Sequence, residues 1–222
     1  MVLVFDLDDT LYNEVFYMQS GFKKVSKFLS ETVNLDYSII YEDLLRIESE
    51  HGRGQVFDLF LKKINYYNGS LITRCISIYR LHEPHITLNA DAIACLNRFA
   101  HLPLYIVTDG NKVVQKKKVL ALGVDRLVKK VYITHQYGVK YSKPSPYCFL
   151  NIAMREKSDP KHVCYIADNP KKDFIGIKPF GFKTIRISQG MFKDMKANEG
   201  QKAHYDIKTL NELDHILLRK LL

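Results

Sequence analysis

The chain opens with Val2, Leu3, Val4 and Phe5 and then turns at once to carboxylates, in the order Asp6-Leu7-Asp8-Asp9-Thr10. A short, wholly apolar run of this kind reads as a strand covered on both faces, the habit of parallel sheets. Ionised side chains directly after such a strand are costly, because an unpaired charge taken out of water costs several kcal/mol. A hard divalent cation bound by those carboxylates would offset the cost. Asp6 and Asp8 stand two residues apart, so in an extended backbone both lean to one side, about 6.6 Å apart along the chain. One can attack an electrophile while the other handles a proton.

Two textures follow. Residues 13–85 contain no buried-strand pattern and read as four amphipathic helices, built on Phe16 to Leu29, Ile39 to Ile47, Val56 to Leu61 and Leu71 to Tyr79. The breaks at His51-Gly52-Arg53-Gly54 and Asn68-Gly69-Ser70 mark turns between them, and four short-linked helices suggest a small bundle. From about residue 86, helices alternate with short apolar strands at 102–107, 131–134, 163–167 and 183–187, with helices expected at 89–100, 111–122, 146–156, 170–179 and 209–222. Thr209 and Glu212 fit a capping box for the last of these. Such alternation implies an α/β fold, a Rossmann-like doubly wound parallel sheet. Residues 1–12 and 86–222 then form the core, and 13–85 an inserted helical cap with hinges near 12–15 and 83–88.

In an open parallel sheet, ligands bind beyond the carboxyl ends of the strands. Those ends are polar here. The first delivers Asp6 and Asp8, the second Thr108-Asp109-Gly110-Asn111, the third Lys140, Lys143 and Pro144, and the fourth Asp168-Asn169-Pro170 with Asp173 beyond. A carboxylate nucleophile can form an acyl-phosphate, splitting one hard displacement into two easier ones. Magnesium would neutralise the phosphoryl charge, with Asp168 as a second carboxylate ligand. Thr108 and the amides around Gly110 can donate to phosphate oxygens, Lys143 adds a point charge, and Asp109 lends its amide or its side chain. Asp8 can protonate a leaving alkoxide and then activate water.

These motifs resemble the haloacid dehalogenase superfamily, in its phosphatase branch with a helical cap after the first motif. Asp6-Leu-Asp8-Asp9-Thr10 looks like the DxDxT motif, Thr108 like the second-motif hydroxyl, Lys143-Pro144 like the third, and Asp168 with Asp173 like the acidic fourth. The resemblance implies a nucleophile at Asp6, a general acid/base at Asp8, and Mg2+ held by Asp6, the Asp8 carbonyl and Asp168, with Asp173 in or beside the ligand set. Asp8 argues against true dehalogenases, which lack an acid two positions after the nucleophile, and against pump ATPases, which carry Thr there. Ala167 departs from the usual Gly.

The expected activity is therefore magnesium-dependent phosphomonoester hydrolysis on a small phosphorylated metabolite, with a phosphomutase as the nearest alternative. A phosphonatase would need a cap lysine, a role in which Lys62 or Lys63 could only nominally serve. A net charge of +9 favours anionic partners. Because the lysines are spread along the chain, nucleic acid is disfavoured, though a basic binding protein with incidental catalysis is a third reading. No apolar run approaches the ~18 residues that span a bilayer, and the acidic N-terminus does not read as a signal peptide. Both point to the cytoplasm; a monomer or homodimer is expected, with no sequence feature that selects between them. Cys75, Cys95, Cys148 and Cys164 lack metal-ligand spacing and read as buried thiols. Arg53 is a candidate clamp for a second acidic group of the substrate, and Lys116-Lys117-Lys118 reads as a solvated helix face.

Overall fold

A computed structural model describes residues 1–221. The chain divides into two units, one of Met1–Glu14 with the segment from Thr87 onward, the other of Val15–Ile86.

The first unit is built on six strands: β1 (Val2–Phe5), β2 (Leu104–Thr108), β3 (Lys130–Ile133), β4 (Val163–Ala167), β5 (Lys183–Ile187) and β6 (Tyr205–Ile207). They lie in the order β3-β2-β1-β4-β5-β6, and every pairing is parallel. This is the Rossmann-like doubly wound arrangement, and its order reverses between β1 and β4. All four residues of β1 are buried. Val2 and Val4 face one core together with Tyr105, Val107, Tyr165 and Ala167, while the alternate residues Leu3, Phe5, Ile106 and Ile166 are buried as well. With side chains alternating across a strand, both faces of the sheet are therefore covered. Between the strands run α5 (Ala90–Arg98), α6 (Lys112–Leu122) and α7 (Tyr147–Arg155). The second unit holds α1 (Val15–Val33), α2 (Tyr37–His51), α3 (Val56–Lys63) and α4 (Gly69–Leu81) around a separate apolar cluster that includes Phe22, Leu29, Leu44, Phe60 and Cys75. Asp36 and Asn68 accept backbone amides at the starts of α2 and α4.

Three expectations differ from the fold. The segment 170–179 is a series of turns ending in a 3-10 turn at Lys178–Phe180, because it carries Asp173 inward and lays Gly176 against Pro144. A Cβ on Gly176 would fall 1.6 Å from the Pro144 carbonyl oxygen. The short edge strand β6 carries no apolar run, since only Ile207 of its three residues is buried. The capping box of Thr209 and Glu212 is present, yet it closes only a 3-10 turn at Leu210–Glu212 before the chain extends at Leu213. α8 (His215–Leu221) starts afresh, with Asp214 accepting the Leu217 amide. Leu222, the end of the expected helix, lies outside the described residues. Among those residues no helix is long and apolar enough to cross a membrane, and all four cysteines are buried free thiols.

Candidate active site

β1 and β4 flank the reversal point, and both end in acid. The Asp6 amide extends the ladder by donating to the Ile166 carbonyl at 2.9 Å, which fixes the side chain just past the strand. Asp6, Asp168 and Asp173 each offer a carboxylate oxygen, all within 4.8 Å of one another and all buried. The loop after β3 brings Lys143 into their midst. Its Nζ lies 2.9 Å from Asp6 Oδ1 and 2.8 Å from Asp173 Oδ1, and it donates to Tyr165 Oη at 2.8 Å. The Tyr165 hydroxyl and the Asn169 amide also donate to Asp173, at 3.2 and 2.9 Å. Asp173 is thereby satisfied. Asp6 Oδ1 is not: its approach to Lys143 is an ion contact off the hydrogen-bond axis, and it has no hydrogen-bond partner.

The electrostatics follow from that crowding. Burial raises the Asp6 carboxyl to about 6 despite the Lys143 ammonium, with Asp173 adding repulsion. Burial, then repulsion from Asp6, Asp173 and Asp9, lifts Asp168 to about 9. Lys143 would be pushed down by burial, but Asp173 and Asp6 outweigh it and hold the ammonium well above its ordinary value. One lysine is too little positive charge for three carboxylates. An all-oxygen donor set with an orphaned buried oxygen fits a hard divalent cation such as magnesium.

Asp8 is held apart from that trio. Its Oδ1 accepts from the Tyr12 hydroxyl at 2.5 Å and from Lys118 Nζ at 2.7 Å, and its Oδ2 from Gln115 Nε2 at 2.7 Å. Burial alone would raise Asp8, but Lys118, Tyr12 and Gln115 bring it below the usual carboxylate value. The expectation that Lys116-Lys117-Lys118 forms a solvated face is thus corrected at its last member. Lys118 is 2% exposed, and its ammonium also meets Glu14 Oε1 at 2.9 Å. A signal for this was present, since Gln115, Lys118, Val119 and Leu122 are all buried on α6 and repeat at the spacing of an inward helix face. Two polar residues on such a face mark a buried polar site.

Thr108, at the end of β2, is fully buried, and its Oγ1 accepts from Gln115 Nε2, which leaves the hydroxyl proton to donate elsewhere. Asp109 acts through its carboxylate on the neighbouring loops. Oδ1 accepts from Thr134 Oγ1 at 2.6 Å and from the Lys143 amide at 3.2 Å, while Oδ2 meets Lys172 Nζ at 3.3 Å. Asp9, at φ 50, accepts the amides of Glu14 and Met191. A cleft of about 120 Å³ opens onto Asp6, Asp8, Asp9 and Asp168, with Lys172, Met191 and Phe192 along its sides. Glu14 and Lys172 were not singled out from the sequence, because a polar residue's partner across the fold has no local signature, and Asp9 entered only as part of the DxDxT run. Arg53 belongs to the helical unit, in the 3-10 turn Arg53–Gln55, with Nε 3.4 Å from Glu48 Oε1.

A family model described as haloacid dehalogenase-like hydrolase matches residues 1–181. The chain belongs to that family. Among curated relatives, a glyceraldehyde 3-phosphate phosphatase from Methanopyrus kandleri is 27% identical to this hydrolase, over 95% of this chain and 94% of its own length. A protein of the same name from Methanocaldococcus jannaschii is 27% identical, over 97% and 96%. Among solved structures, the putative HAD-hydrolase YfnB from Bacillus subtilis, bound to magnesium, shares the fold with a TM-score of 0.67 at 24% identity, covering 97% of each chain.

Proposed function

We propose that this hydrolase is a magnesium-dependent phosphatase of small phosphorylated metabolites, working through an aspartyl-phosphate on Asp6. The observation that carries the reading is the buried Asp6 carboxylate at the end of β1, beside Asp168, with one oxygen that has no hydrogen bond and only the ion contact to Lys143. Asp6, Asp168 and the Asp8 carbonyl would hold magnesium, with Asp173 beside them, and the ion would neutralise charge on the phosphoryl group. Asp6 attacks phosphorus, forming the new P–O bond as the bond to the leaving oxygen breaks. Asp8 gives that oxygen its proton, then takes one from the water that hydrolyses the acyl-phosphate, restoring Asp6 and releasing inorganic phosphate. Lys143 lies against Asp6 and opposes the negative charge gathered there. The Thr108 hydroxyl donates to a phosphoryl oxygen, and Asp109 keeps Lys143 in place through its backbone amide.

Residues 13–85 act as the cap in this reading, where Arg53 remains a candidate substrate contact. The name shared by the archaeal relatives points to a three-carbon phosphate. Phosphate release from a panel of phosphorylated metabolites that includes glyceraldehyde 3-phosphate, with and without magnesium, tests the proposal. Turnover should need the metal and disappear in Asp6→Asn. Undiminished turnover in Asp6→Asn would remove the nucleophile, and isomerised product without free phosphate would point to a mutase.

A further inference from the structure

The loop after β5 is bound to the first acidic turn, far from it in sequence. Gln189 Nε2 donates to the carbonyls of Asp9 and Thr10 at 2.8 and 2.9 Å. The Met191 amide donates to Asp9 Oδ2 at 3.1 Å. From β5, the buried Arg186 donates through Nη2 to the Phe192 carbonyl at 2.6 Å. Gly190, at φ 64, runs so close to the turn that a Cβ would fall 2.2 Å from Asp9 Cγ. Only glycine combines that approach with a left-handed backbone. The position of residues 190–192 relative to Asp6 and Asp8 is therefore fixed from several directions.

The side chains that this anchoring presents are apolar. Met191 and Phe192 line the cleft, and the other side chains around it are carboxylates, one amide and the Lys172 ammonium. Met191 is 61% exposed, so it contributes little to a core. An isolated exposed apolar residue is ordinary on a protein surface. An exposed methionine next to a half-buried phenylalanine, both held by backbone and side-chain hydrogen bonds at the mouth of an acidic cleft, is less so. A phosphoryl group has no use for apolar surface; the carbon atoms attached to it do.

From this we infer that Met191 and Phe192 are specificity-determining residues, packing against the C–H surface of the leaving group. They raise kcat/KM in proportion to the C–H surface that a phosphomonoester carries near its ester oxygen, the methylene of a three-carbon phosphate included, so that removing them costs an aromatic ester more than a hydroxylated one. The inference rests on the phosphatase reading above and deepens it, because it assigns part of the substrate selection to the sheet unit itself.

The test compares kcat/KM for phenyl phosphate and for glycerol 3-phosphate, two esters with the same phosphoryl group, in the full-length magnesium-loaded enzyme. In Met191→Ala and Phe192→Ala the ratio of phenyl to glycerol ester should fall about tenfold, the low end of what a hydrophobic pocket contact discriminates. Phe192→Leu, which keeps the wall apolar, should hold the ratio within about threefold, and inhibition by inorganic phosphate should stay unchanged in all three. Should an alanine variant not fold, Met191→Gln at the exposed position keeps the length of the side chain, removes its apolar character and should lower the ratio in the same way. An equal loss on both esters would make the loop merely a clamp on Asp9 and overturn the inference. So would a ratio that does not move. A wild-type enzyme that turns over neither these esters nor any metabolite would overturn the phosphatase reading and this inference with it, an outcome distinct from the other two.

Discussion

Lys118 Nζ lies 2.7 Å from Asp8 Oδ1, with only 3% of the lysine side chain reaching solvent. The same ammonium meets Glu14 Oε1 at 2.9 Å, so one buried cation serves two carboxylates. Removing one member of such a cluster leaves uncompensated charge and costs about 3–5 kcal/mol in buried pairs. Asp8 and Glu14 keep 19% and 24% of their side chains exposed, which places the expected cost near the lower end. Lys118→Met should therefore destabilise the protein by about 3 kcal/mol in urea unfolding, and adding Glu14→Gln should recover part of it. The exposed Lys116→Ala should stay within ~0.5 kcal/mol of wild type. Equal effects at 116 and 118 would contradict the assignment.

Because Lys118 helps hold the Asp8 carboxyl below its usual value, its loss should move Asp8 upward. Both limbs of the pH–rate profile that Asp8 sets, the one on which it must be ionised to activate water and the one on which it must be protonated to serve the leaving oxygen, should then shift to higher pH in Lys118→Met. A profile superimposable on wild type would separate Lys118 from the chemistry.

Metal and pH should be coupled with a defined sign. In the unfolded chain an aspartate titrates near 3.9, whereas burial raises Asp6 to about 6, and burial with repulsion raises Asp168 to about 9. The folded protein therefore binds more protons between those limits, and its metal-free stability, present near pH 4, is lost as pH rises through about 6 and then about 9. A cation takes the place of those protons. The rise in Tm on adding magnesium should grow from pH 5 to pH 9, reaching roughly 5–10 °C at 100 times Kd. A rise that shrinks with pH would count against the Asp6–Asp168 site.

Gly176 is where the acidic fourth-strand turn meets the lysine loop. A Cβ there would lie 1.6 Å from the Pro144 oxygen, so Gly176→Ala must push Lys143 or Asp173 aside. Overpacking of this kind costs about 1–3 kcal/mol, and turnover should fall much further than stability does. Melting curves and kcat measured on the same preparation would reveal a variant that loses only stability.

The thiols should be inert in the native protein. Burial pushes Cys75, Cys95 and Cys164 up to about 12 and Cys148 up to about 11. Alkylation at pH 8 followed by mass spectrometry should mark them only after unfolding.

Strands were legible where chemistry repeats locally. Val163–Ala167 and Lys183–Ile187 coincide with their apolar runs, while β6 escaped notice because an exposed edge strand needs no such run. The turns at 170–179 looked helical because a local pattern does not register that Gly176 must touch Pro144. Lys118 was misjudged for a different reason: the run of three lysines looks uniform, and only the spacing of Gln115, Lys118, Val119 and Leu122 marks the one on the inward face of α6.

The sequence by itself determined that a parallel sheet ends in acid at Asp6, Asp8 and Asp168, because apolar runs followed by carboxylates leave few other arrangements. It likewise marked Thr108 and Lys143 as polar groups at strand ends. Tertiary structure alone decided which charge each carboxylate meets. Asp173 takes Lys143, Tyr165 and a backbone amide, Asp8 takes Lys118, and Asp6 keeps an oxygen with no hydrogen bond. Electrostatic interaction depends on distance through space and on burial, and both are set by packing between segments that the linear order keeps far apart.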